Sequence, residues 1–261
     1  MATNITIIGA GNIGGAVVRG WSKSGAELNI TVSGRHMEKL ERVKADCPDI
    51  NISTDNVAST KSADIVVIAV KPWQVQDVVN QIKPNFRKDM ILVSFAAGIT
   101  TGQLKEMITE CEFPQVFYVM PNIAAEFCES MTFVCASAGT EPSYINKVEE
   151  LFKLDGRVMV CEEKLINPGM LIASCGIAYI MRILRVQTQA GVEMGFYPND
   201  ALNLALQTMQ GAVSLLRGTG EHPEKAIDRV TTPGGYTIKG LNEMDHAGLA
   251  SAIIRVFKTG L

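Results

Sequence analysis

The sequence predicts an α/β protein, with a doubly wound parallel sheet at residues 1–162 and an all-α domain at residues 163–261. Two observations lead to this fold class. Up to about residue 160, short β-branched runs of strand length alternate with amphipathic runs of helix length. After the segment "RVMVCEE" the strand signals stop and only helical patterns follow. We therefore expect a sheet covered by helices on both faces, followed by a helical domain.

Four segments are interpreted as strands of this sheet: "NITIIG", "NITVSG", "DIVVIAV" and "MILVSF". The last two are apolar on both faces, which is typical of central parallel strands between two helical layers. The helices between strands are clearest where Val75, Val78, Val79 and Ile82 form one apolar stripe at i, i+3, i+4 and i+7. Pro84 is expected to end that helix.

The run from Asn167 to Gly195 carries apolar residues on nearly every face, so a helix here must be covered all round. A domain of roughly a hundred residues buries such a helix poorly by itself, so we expect an obligate oligomer formed through this domain. Its most hydrophobic part, Met170 to Leu184, is shorter than a bilayer span and carries Arg182, so a membrane helix is not expected.

The composition favours a soluble globular protein. The chain has 261 residues and a formal net charge of −3, with Lys and Arg spread along its length. This distribution lacks the basic patch of a protein that binds nucleic acid or a membrane surface, and we expect neither partner. The N-terminus runs directly into "NITIIGAG" without a targeting pattern, so a cytoplasmic location is expected.

The cysteines are not arranged for metal binding or for a disulfide framework. There are six of them, at positions far apart, with no C-x-x-C pair and no histidine at ligand spacing. We expect no metal site and interpret the cysteines, including Cys111 and Cys175, as reduced and mostly buried thiols. For Cys175 the alternative is a nucleophile, but no base is identifiable beside it.

The segment "ITIIGAGNIGG" places Gly9, Gly11 and Gly14 in the G-x-G-x-x-G spacing, with Asn12 and Ile13 in the first turn of the next helix. The first glycine allows a tight turn, the second lets the backbone approach a pyrophosphate, and the third lets the helix lie close on the sheet. The helix N-terminus adds amides and partial positive charge. In this context the motif predicts a Rossmann-type dinucleotide site, with an incidental glycine turn as the alternative.

The end of the second predicted strand indicates which dinucleotide binds. An NAD-selective site places Asp or Glu there, whereas this chain has Ser33 and Arg35. A guanidinium can bind a 2′-phosphate through charge-assisted hydrogen bonds, so NADPH is favoured and NADH is the alternative cofactor. A solvated charge in a loop is the other interpretation of Arg35.

Two further strand ends are expected to line the cofactor cleft, which lies where the strand order reverses. The residues placed there are Ala69, Val70, Lys71 and Pro72 in "IAVKP", and Ala96, Ala97 and Gly98 in "SFAAGI". The second group is small enough for a nicotinamide ring to come close. The alternative is that these residues are small only for packing.

A second glycine-rich helix start occurs in "TTPGGYT" near the C-terminus. Thr232 stands at a cap-like position, and the glycines leave the first-turn amides open to an anion such as a carboxylate. A plain turn before a helix is the alternative.

Six motifs, in this order along almost the whole chain, resemble the pyrroline-5-carboxylate reductase family. They are "GAGNIGG", "AVKP", "AAGIT", "MPN" at 120–122, "AGVEMG" at 190–195 and "VTTPGGYTIKGL" at 230–241, the last being the most specific. The resemblance implies reduction of 1-pyrroline-5-carboxylate to L-proline by NADPH or NADH. It also implies a homodimer with interlocked helical domains, often assembled further into a decamer, with the active site between the nucleotide domain and the helical bundle formed with the partner.

The resemblance also implies roles for individual residues. Gly234, Gly235, Tyr236 and Thr237 offer main-chain amides to the substrate carboxylate, beside Thr232, and the Thr237 hydroxyl meets the ring nitrogen as the catalytic group. Asn56 lies at the adenosine ribose, and Met120, Pro121 and Asn122 lie beside the nicotinamide.

Some positions depart from the family pattern. Cys175 stands where serine is usual, Ile177 replaces a proline, and Ile123 with Ala124 replaces the Thr-Pro that usually follows Asn122. These changes suggest an alternative, an NADP-dependent reductase of another cyclic imine or small carbonyl. A third alternative is an NADP-binding oligomer without turnover, because a fold does not fix a function. The intact Thr237 and both glycine loops argue against it.

Overall fold

The computed structural model describes residues 2–109 and 114–260. The chain divides into two compact units, Met1–Ser174 and Cys175–Leu261. The domain boundary predicted at residues 162 and 163 lies inside the first unit and stays a prediction. Cys111 lies outside the described residues.

The strands of the first unit form one sheet, and its order confirms the doubly wound fold. Within the described residues they are β1 (Thr3–Ile8), β2 (Leu28–Ser33), β3 (Asn51–Ser53), β4 (Ile65–Ile68), β5 (Ile91–Ser94), β6 (Gln115–Met120), β7 (Ser130–Ala136) and β8 (Gly156–Val160). Their order across the sheet is β3-β2-β1-β4-β5-β6-β7-β8. The order reverses between β1 and β4, where a doubly wound sheet binds its ligand.

Helices lie between most of the strands and make up the second unit. In the first unit they are α1 (Asn12–Lys23), α2 (Met37–Asp46), α3 (Asn56–Thr60), α4 (Val75–Ile82), α5 (Thr101–Met107), α6 (Pro142–Lys153) and α7 (Ile166–Met170). In the second unit they are α8 (Gly176–Glu193), α9 (Pro198–Thr219), α10 (Pro223–Arg229), α11 (Tyr236–His246) and α12 (Leu249–Lys258).

Side chains pack on both faces of the sheet, since successive strand residues point to opposite sides. On one face, Ile7 packs in a cluster with Val17 and Trp21 of α1. On the other, Ile8 packs in a cluster with Val79 of α4. The four residues of the predicted α4 stripe are all buried, so that prediction is confirmed.

Strands β1 to β6 are parallel, as predicted, and β7 differs because it pairs with β6 in the antiparallel sense. A parallel connection needs a crossover of about a dozen residues or more. The chain between Met120 and Ser130 holds only a short 3₁₀ turn, Ile123–Phe127. This connection is too short for a crossover, so β7 runs back beside β6 in the antiparallel direction. Strand β8 then pairs with β7 in parallel.

The apolar run predicted from Asn167 to Gly195 lies in a helical stretch, Glu163–Glu193, with a wider π turn at Leu171–Cys175. This stretch has 31 residues and a mean hydropathy of 1.5 in its most apolar window, so by length and composition it could cross a membrane. The expectation based on the shorter run from Met170 to Leu184 therefore does not exclude a span. A helix that is covered on all sides by other protein helices is equally apolar, so composition does not distinguish it from a membrane span.

The second unit buries few large apolar side chains. Of its described residues, the buried hydrophobic ones are Ala201, Ala205 and Ala226. Helices α8 and α9 approach closely, since a Cβ on Gly191 would lie 2.9 Å from the Ala201 Cβ. Large side chains of both helices are exposed instead, with Met181 at 55% and Leu204 at 51%. An exposed apolar surface of this kind marks a site of association with another protein or with a membrane.

One carboxyl group is buried without a partner. Asp155, between α6 and β8, is 0% exposed, and neither of its carboxyl oxygens accepts a hydrogen bond from a described residue. It lies against Gly20 of α1, where an added Cβ would collide with Oδ1. Burial raises the pKa of Asp155 to about 9, so the group is protonated at neutral pH.

Asp155 should make the stability of this protein fall as the pH rises. Its folded pKa of about 9 lies above the unfolded value of about 4, so between these values only the folded state holds the proton. The free energy of unfolding then falls by up to about 1.4 kcal/mol per pH unit in that window. We expect Asp155→Asn to stabilise the protein more at pH 8 than at pH 6, as measured by urea unfolding. The exposed control Asp49→Asn should show no such difference. An equal gain for Asp155→Asn at both pH values would contradict this account.

Candidate cofactor and substrate sites

The loop between β1 and α1 is shaped by its contact with the end of β4. Gly9 has a φ of +121°, and a Cβ on it would lie 2.5 Å from the Ala69 carbonyl oxygen. On Gly14 a Cβ would overlap the Gly9 carbonyl oxygen and lie 3.1 Å from the Ala69 Cβ. These two glycines therefore allow the loop and α1 to lie directly on the sheet where the strand order reverses.

Gly11 leaves room on the outer side of the loop. A Cβ on Gly11 would meet no atom within 4 Å. Gly11 is the N-cap of α1, no side chain caps this helix, and its first turn, which includes Asn12 and Ile13, has no acidic residue. First-turn amides have no partner within a helix and carry partial positive charge. This open, amide-lined position fits the pyrophosphate of a dinucleotide.

The end of β2 brings Ser33 and Asn56 together. Ser33 is 0% exposed, and its Oγ donates a hydrogen bond of 2.7 Å to Asn56 Oδ1. Asn56 Nδ2 in turn donates to Gln81 Oε1 at 3.0 Å. Arg35, two residues beyond Ser33, is exposed and makes no salt bridge within the described part of the chain. Its guanidinium is therefore available to an anion.

The end of β4 forms the other side of this edge. Ala69 and Val70 are half-buried, and the Ala69 amide donates to the Ile8 carbonyl at 2.8 Å. Lys71 is exposed, and Pro72 begins a 3₁₀ turn that leads into α4. Of these four predicted residues, Ala69 and Val70 lie against the glycine loop, and Lys71 and Pro72 follow them in the chain.

The loop after β5 presents small residues and is held by a tyrosine. Ala96 is buried, whereas Ala97 and Gly98 are exposed. The Gly98 amide donates to the Tyr118 Oη at 3.1 Å. Burial raises the pKa of Tyr118, so the phenol stays protonated. No local pattern in the sequence marks Tyr118, because its contact exists only when β5 and β6 are neighbours.

Glu163 is a second residue that no local sequence pattern marks. Its carboxylate accepts hydrogen bonds from the Thr101 amide and the Thr101 Oγ1, both at 2.8 Å. It therefore holds the start of α5, which directly follows the loop carrying Gly98. A glutamate so distant in sequence gives no local signal of this contact.

Asn122 is engaged inside the protein. It is 3% exposed, its Oδ1 accepts from the Ala124 amide at 2.9 Å, and its Nδ2 donates to the Ala173 carbonyl at 3.3 Å. Ser174 Oγ also donates to the Pro121 carbonyl at 2.9 Å. Met120 is buried as well, at 6% exposed. In this structure the "MPN" segment is hydrogen-bonded to Ala173 and Ser174 of the π turn at Leu171–Cys175.

The second glycine-rich segment forms a tight turn before α11. The Gly235 amide donates to the Thr232 carbonyl at 3.0 Å, and Gly234 has a φ of +71°, as position i+2 of a type II turn requires. The N-cap of α11 is Gly235 and not Thr232, which was expected at a cap-like position. No side chain caps α11, and its first turn has no acidic residue. Tyr236 and Thr237 are exposed there.

The three departures from the family pattern lie at accessible or partly accessible positions. Ile123 is 43% exposed, and Cys175 is a free, half-buried thiol. Ile177 lies in the first turn of α8 and is half-buried. In residues 2–109 and 114–260, no group of three or more His, Cys, Asp or Glu side chains is placed to hold a metal ion.

The sheet order and the glycine loop define a dinucleotide-binding α/β protein that carries a second, helical unit. Residues 4–98 match a family model described as NADP oxidoreductase, coenzyme F420-dependent, and residues 163–260 match pyrroline-5-carboxylate reductase dimerisation. Pyrroline-5-carboxylate reductase 2 of Dictyostelium discoideum is 35% identical over 97% of this chain and 89% of its own. This chain belongs to the pyrroline-5-carboxylate reductase family.

Solved structures agree with this assignment. The pyrroline-5-carboxylate reductase of Coxiella burnetii has a TM-score of 0.88 and 26% identity, covering 100% of this chain and 96% of that one. The Plasmodium falciparum pyrroline carboxylate reductase, solved with NADP bound, also has a TM-score of 0.88, with 24% identity over 99% of this chain and 95% of that one. At 24% identity, the similarity to the Plasmodium falciparum structure shows that the two chains share a fold.

The match to the dimerisation family explains the exposed apolar surface of the second unit. It spans residues 163–260, which include helices α8 to α12. These helices leave large side chains such as Val186, at 54% exposed, outside any core. The chain therefore oligomerises through its helical region, as the sequence predicted.

Gly14 and Gly11 should differ in their effect on stability. A Cβ on Gly14 would overlap the Gly9 carbonyl, so Gly14→Ala should lower the free energy of unfolding by about 1–3 kcal/mol. Gly11→Ala places its methyl group in open space and should cost less than about 1 kcal/mol. Urea unfolding of both variants without ligand measures this difference. Equal losses would contradict the described packing of the loop on β4.

Proposed function

We propose that this protein reduces 1-pyrroline-5-carboxylate to L-proline with NADPH. The observation that carries the proposal is the pair of open, uncapped helix starts, at α1 and α11, in a chain of this family. The first fits a pyrophosphate and the second fits a carboxylate. Oxidation of NADPH in the presence of 1-pyrroline-5-carboxylate tests it directly, and a wild-type protein that does not catalyse this oxidation would refute it.

NADPH supplies the hydride when it is bound. The residues proposed to hold it lie at one edge of the sheet: Gly9, Gly11, Asn12, Ile13 and Gly14 at the pyrophosphate, Arg35 and Asn56 at the adenosine end with the buried Ser33 bonded to Asn56, and Ala69 to Pro72 with Ala96 to Gly98 along the strand ends. Met120 and Asn122 are proposed to act beside the nicotinamide by shaping the end of β6, since both are buried.

The turn before α11 is proposed to bind the substrate. The amides of Gly234, Gly235, Tyr236 and Thr237 orient the carboxylate beside Thr232, and no acidic side chain in the first turn opposes it. The Thr237 hydroxyl donates to or accepts from the ring nitrogen. A cyclic imine accepts hydride readily once its nitrogen is protonated or hydrogen-bonded, so no strong acid is required, and the proton comes from substrate or water.

A second candidate is the reduction of another cyclic imine or a small carbonyl. The observation that favours it is the set of departures at Ile123, Cys175 and Ile177, two of which begin α8. These side chains differ from the family in size and polarity, whereas the carboxylate-binding turn keeps the family pattern. Steady-state rates on a panel of cyclic imines, with and without a carboxylate, separate the two candidates.

For the assembly we propose a homodimer through the helical region, joined further as a pentamer of dimers, in the cytoplasm. The exposed apolar side chains of α8 and α9 support the dimer, because a partner's helices would cover them. On this proposal the apolar stretch Glu163–Glu193 is covered by a second copy rather than by lipid.

Removal of the Thr237 hydroxyl should slow the reaction. Thr237→Ala loses one hydrogen bond to the reacting imine, worth about 1–3 kcal/mol, so kcat/KM should fall roughly 5-fold to 150-fold. Thr237→Ser keeps the hydroxyl and should retain most of the activity. Thr259→Ala removes a hydroxyl that bonds the Val256 carbonyl in α12 and serves as a control. A kcat/KM of Thr237→Ala within about twofold of wild type would exclude the role.

Arg35 should determine the preference for NADPH. Its exposed guanidinium can make charge-assisted bonds worth about 1.5–3 kcal/mol to a 2′-phosphate, so Arg35→Ala should raise the Kd for NADPH roughly 10-fold to 150-fold. The Kd for NADH should change little. Arg157→Ala, which removes an exposed guanidinium on the edge strand β8, is the matched control. Equal losses for both cofactors would contradict contact with the phosphate.

A further inference from the structure

Three polar side chains form a chain of hydrogen bonds at the adenosine end of the proposed cofactor site. Ser33 Oγ donates to Asn56 Oδ1 at 2.7 Å, and Asn56 Nδ2 donates to Gln81 Oε1 at 3.0 Å. We propose that Ser33 and Gln81 are positioning residues, which fix the Asn56 amide for NADPH without touching the cofactor themselves. This inference rests on the proposed function and deepens it.

Burial separates Ser33 from any ligand. Its side chain is 0% exposed, and its single hydroxyl proton goes to Asn56. Its carbonyl oxygen accepts the Gly9 amide at 2.8 Å, so the residue also joins β2 to the glycine loop. The position that would hold an acidic ribose ligand in an NAD-selective site therefore holds a residue that acts through its neighbour.

The backbone around Asn56 is already fixed by other contacts. Asp55 Oδ1 accepts from the Val57 amide at 2.9 Å, and Asn85 Nδ2 donates to the Val57 carbonyl at 2.7 Å. Thr6 Oγ1 donates to the Ser59 carbonyl at 2.6 Å, which ties α3 to β1. The freedom that remains at Asn56 is the rotation of its side chain.

The terminal torsion of an asparagine is broad, so an unrestrained amide samples many orientations. Bonds to Ser33 on one side and to Gln81 on the other hold the plane of the Asn56 amide. An amide has two N–H groups and two oxygen lone pairs, so one N–H and one lone pair remain for a ligand. Asn56 is half-buried, so part of the residue remains exposed. A pre-oriented amide binds a ribose oxygen or phosphate oxygen with less loss of entropy.

A double-mutant cycle on NADPH affinity tests this inference. Gln81→Leu and Ser33→Ala should each raise the Kd for NADPH, measured by calorimetry, roughly 2-fold to 10-fold. In the Asn56→Ala background neither substitution should change the Kd further, because the amide that they orient is gone. The KM for the imine at saturating NADPH should stay unchanged. Gln76→Leu is the control, since Gln76 lies on the same helix and bonds Asn80 within it.

Two results would overturn the inference while leaving the reductase intact. If Ser33→Ala and Asn56→Ala raise the Kd additively in an active protein, Ser33 acts independently of Asn56. If Asn56→Ala leaves the Kd unchanged, Asn56 does not bind the cofactor. Because Ser33 is buried, thermal unfolding of Ser33→Ala is measured in parallel, and the exposed Gln81 supplies the cycle if that variant does not fold. Failure of the proposed function differs from both, because the wild-type protein would then not oxidise NADPH with the imine.

Discussion

The close approach of Gly9 to the Ala69 carbonyl is the contact on which the cofactor site depends. A Cβ at Gly9 would lie 2.5 Å from that oxygen, so only a glycine allows the loop to rest on β4. The same approach places the start of α1 at the reversal of the strand order, with its uncapped amides beside the ends of β2 and β4. Ser33 extends the arrangement, because its carbonyl accepts the Gly9 amide while its hydroxyl holds Asn56. The loop, the start of α1 and the Asn56 side chain are thus fixed through one point.

The second unit follows a different physical constraint. Its helices α8 and α9 touch through small residues, Gly191 and Ala201, so the large side chains cannot form a core between them. Apolar side chains exposed at this density are costly in water, and association with another chain removes them from it. We therefore expect folding of this unit to be coupled to assembly, so that its stability depends on protein concentration.

Much of the fold could be predicted from the sequence because the decisive signals are local. The stripe from Val75 to Ile82 and the glycine spacing at 9, 11 and 14 each specify an element within a few residues. The reversal of β7 was missed because it depends on the length of one connection. The contacts of Tyr118 with Gly98 and of Glu163 with Thr101 join distant segments, so no spacing rule reveals them. Asn122 is a different case. Its motif was correctly placed at the end of a strand, but its side chain is hydrogen-bonded inside the protein.

The two proposed anion sites share one strategy, in which main-chain amides and not basic side chains meet the negative charge. Neither α1 nor α11 has an acidic residue in its first turn, and neither is capped by a side chain. Recognition by amides depends on the conformation of the turn, which Gly234 at a φ of +71° fixes before α11. Changes of side chain elsewhere, such as Ile177 in place of a proline, leave that turn intact. If this turn binds the carboxylate as proposed, side chains elsewhere can change the selection of the rest of the substrate without altering the turn.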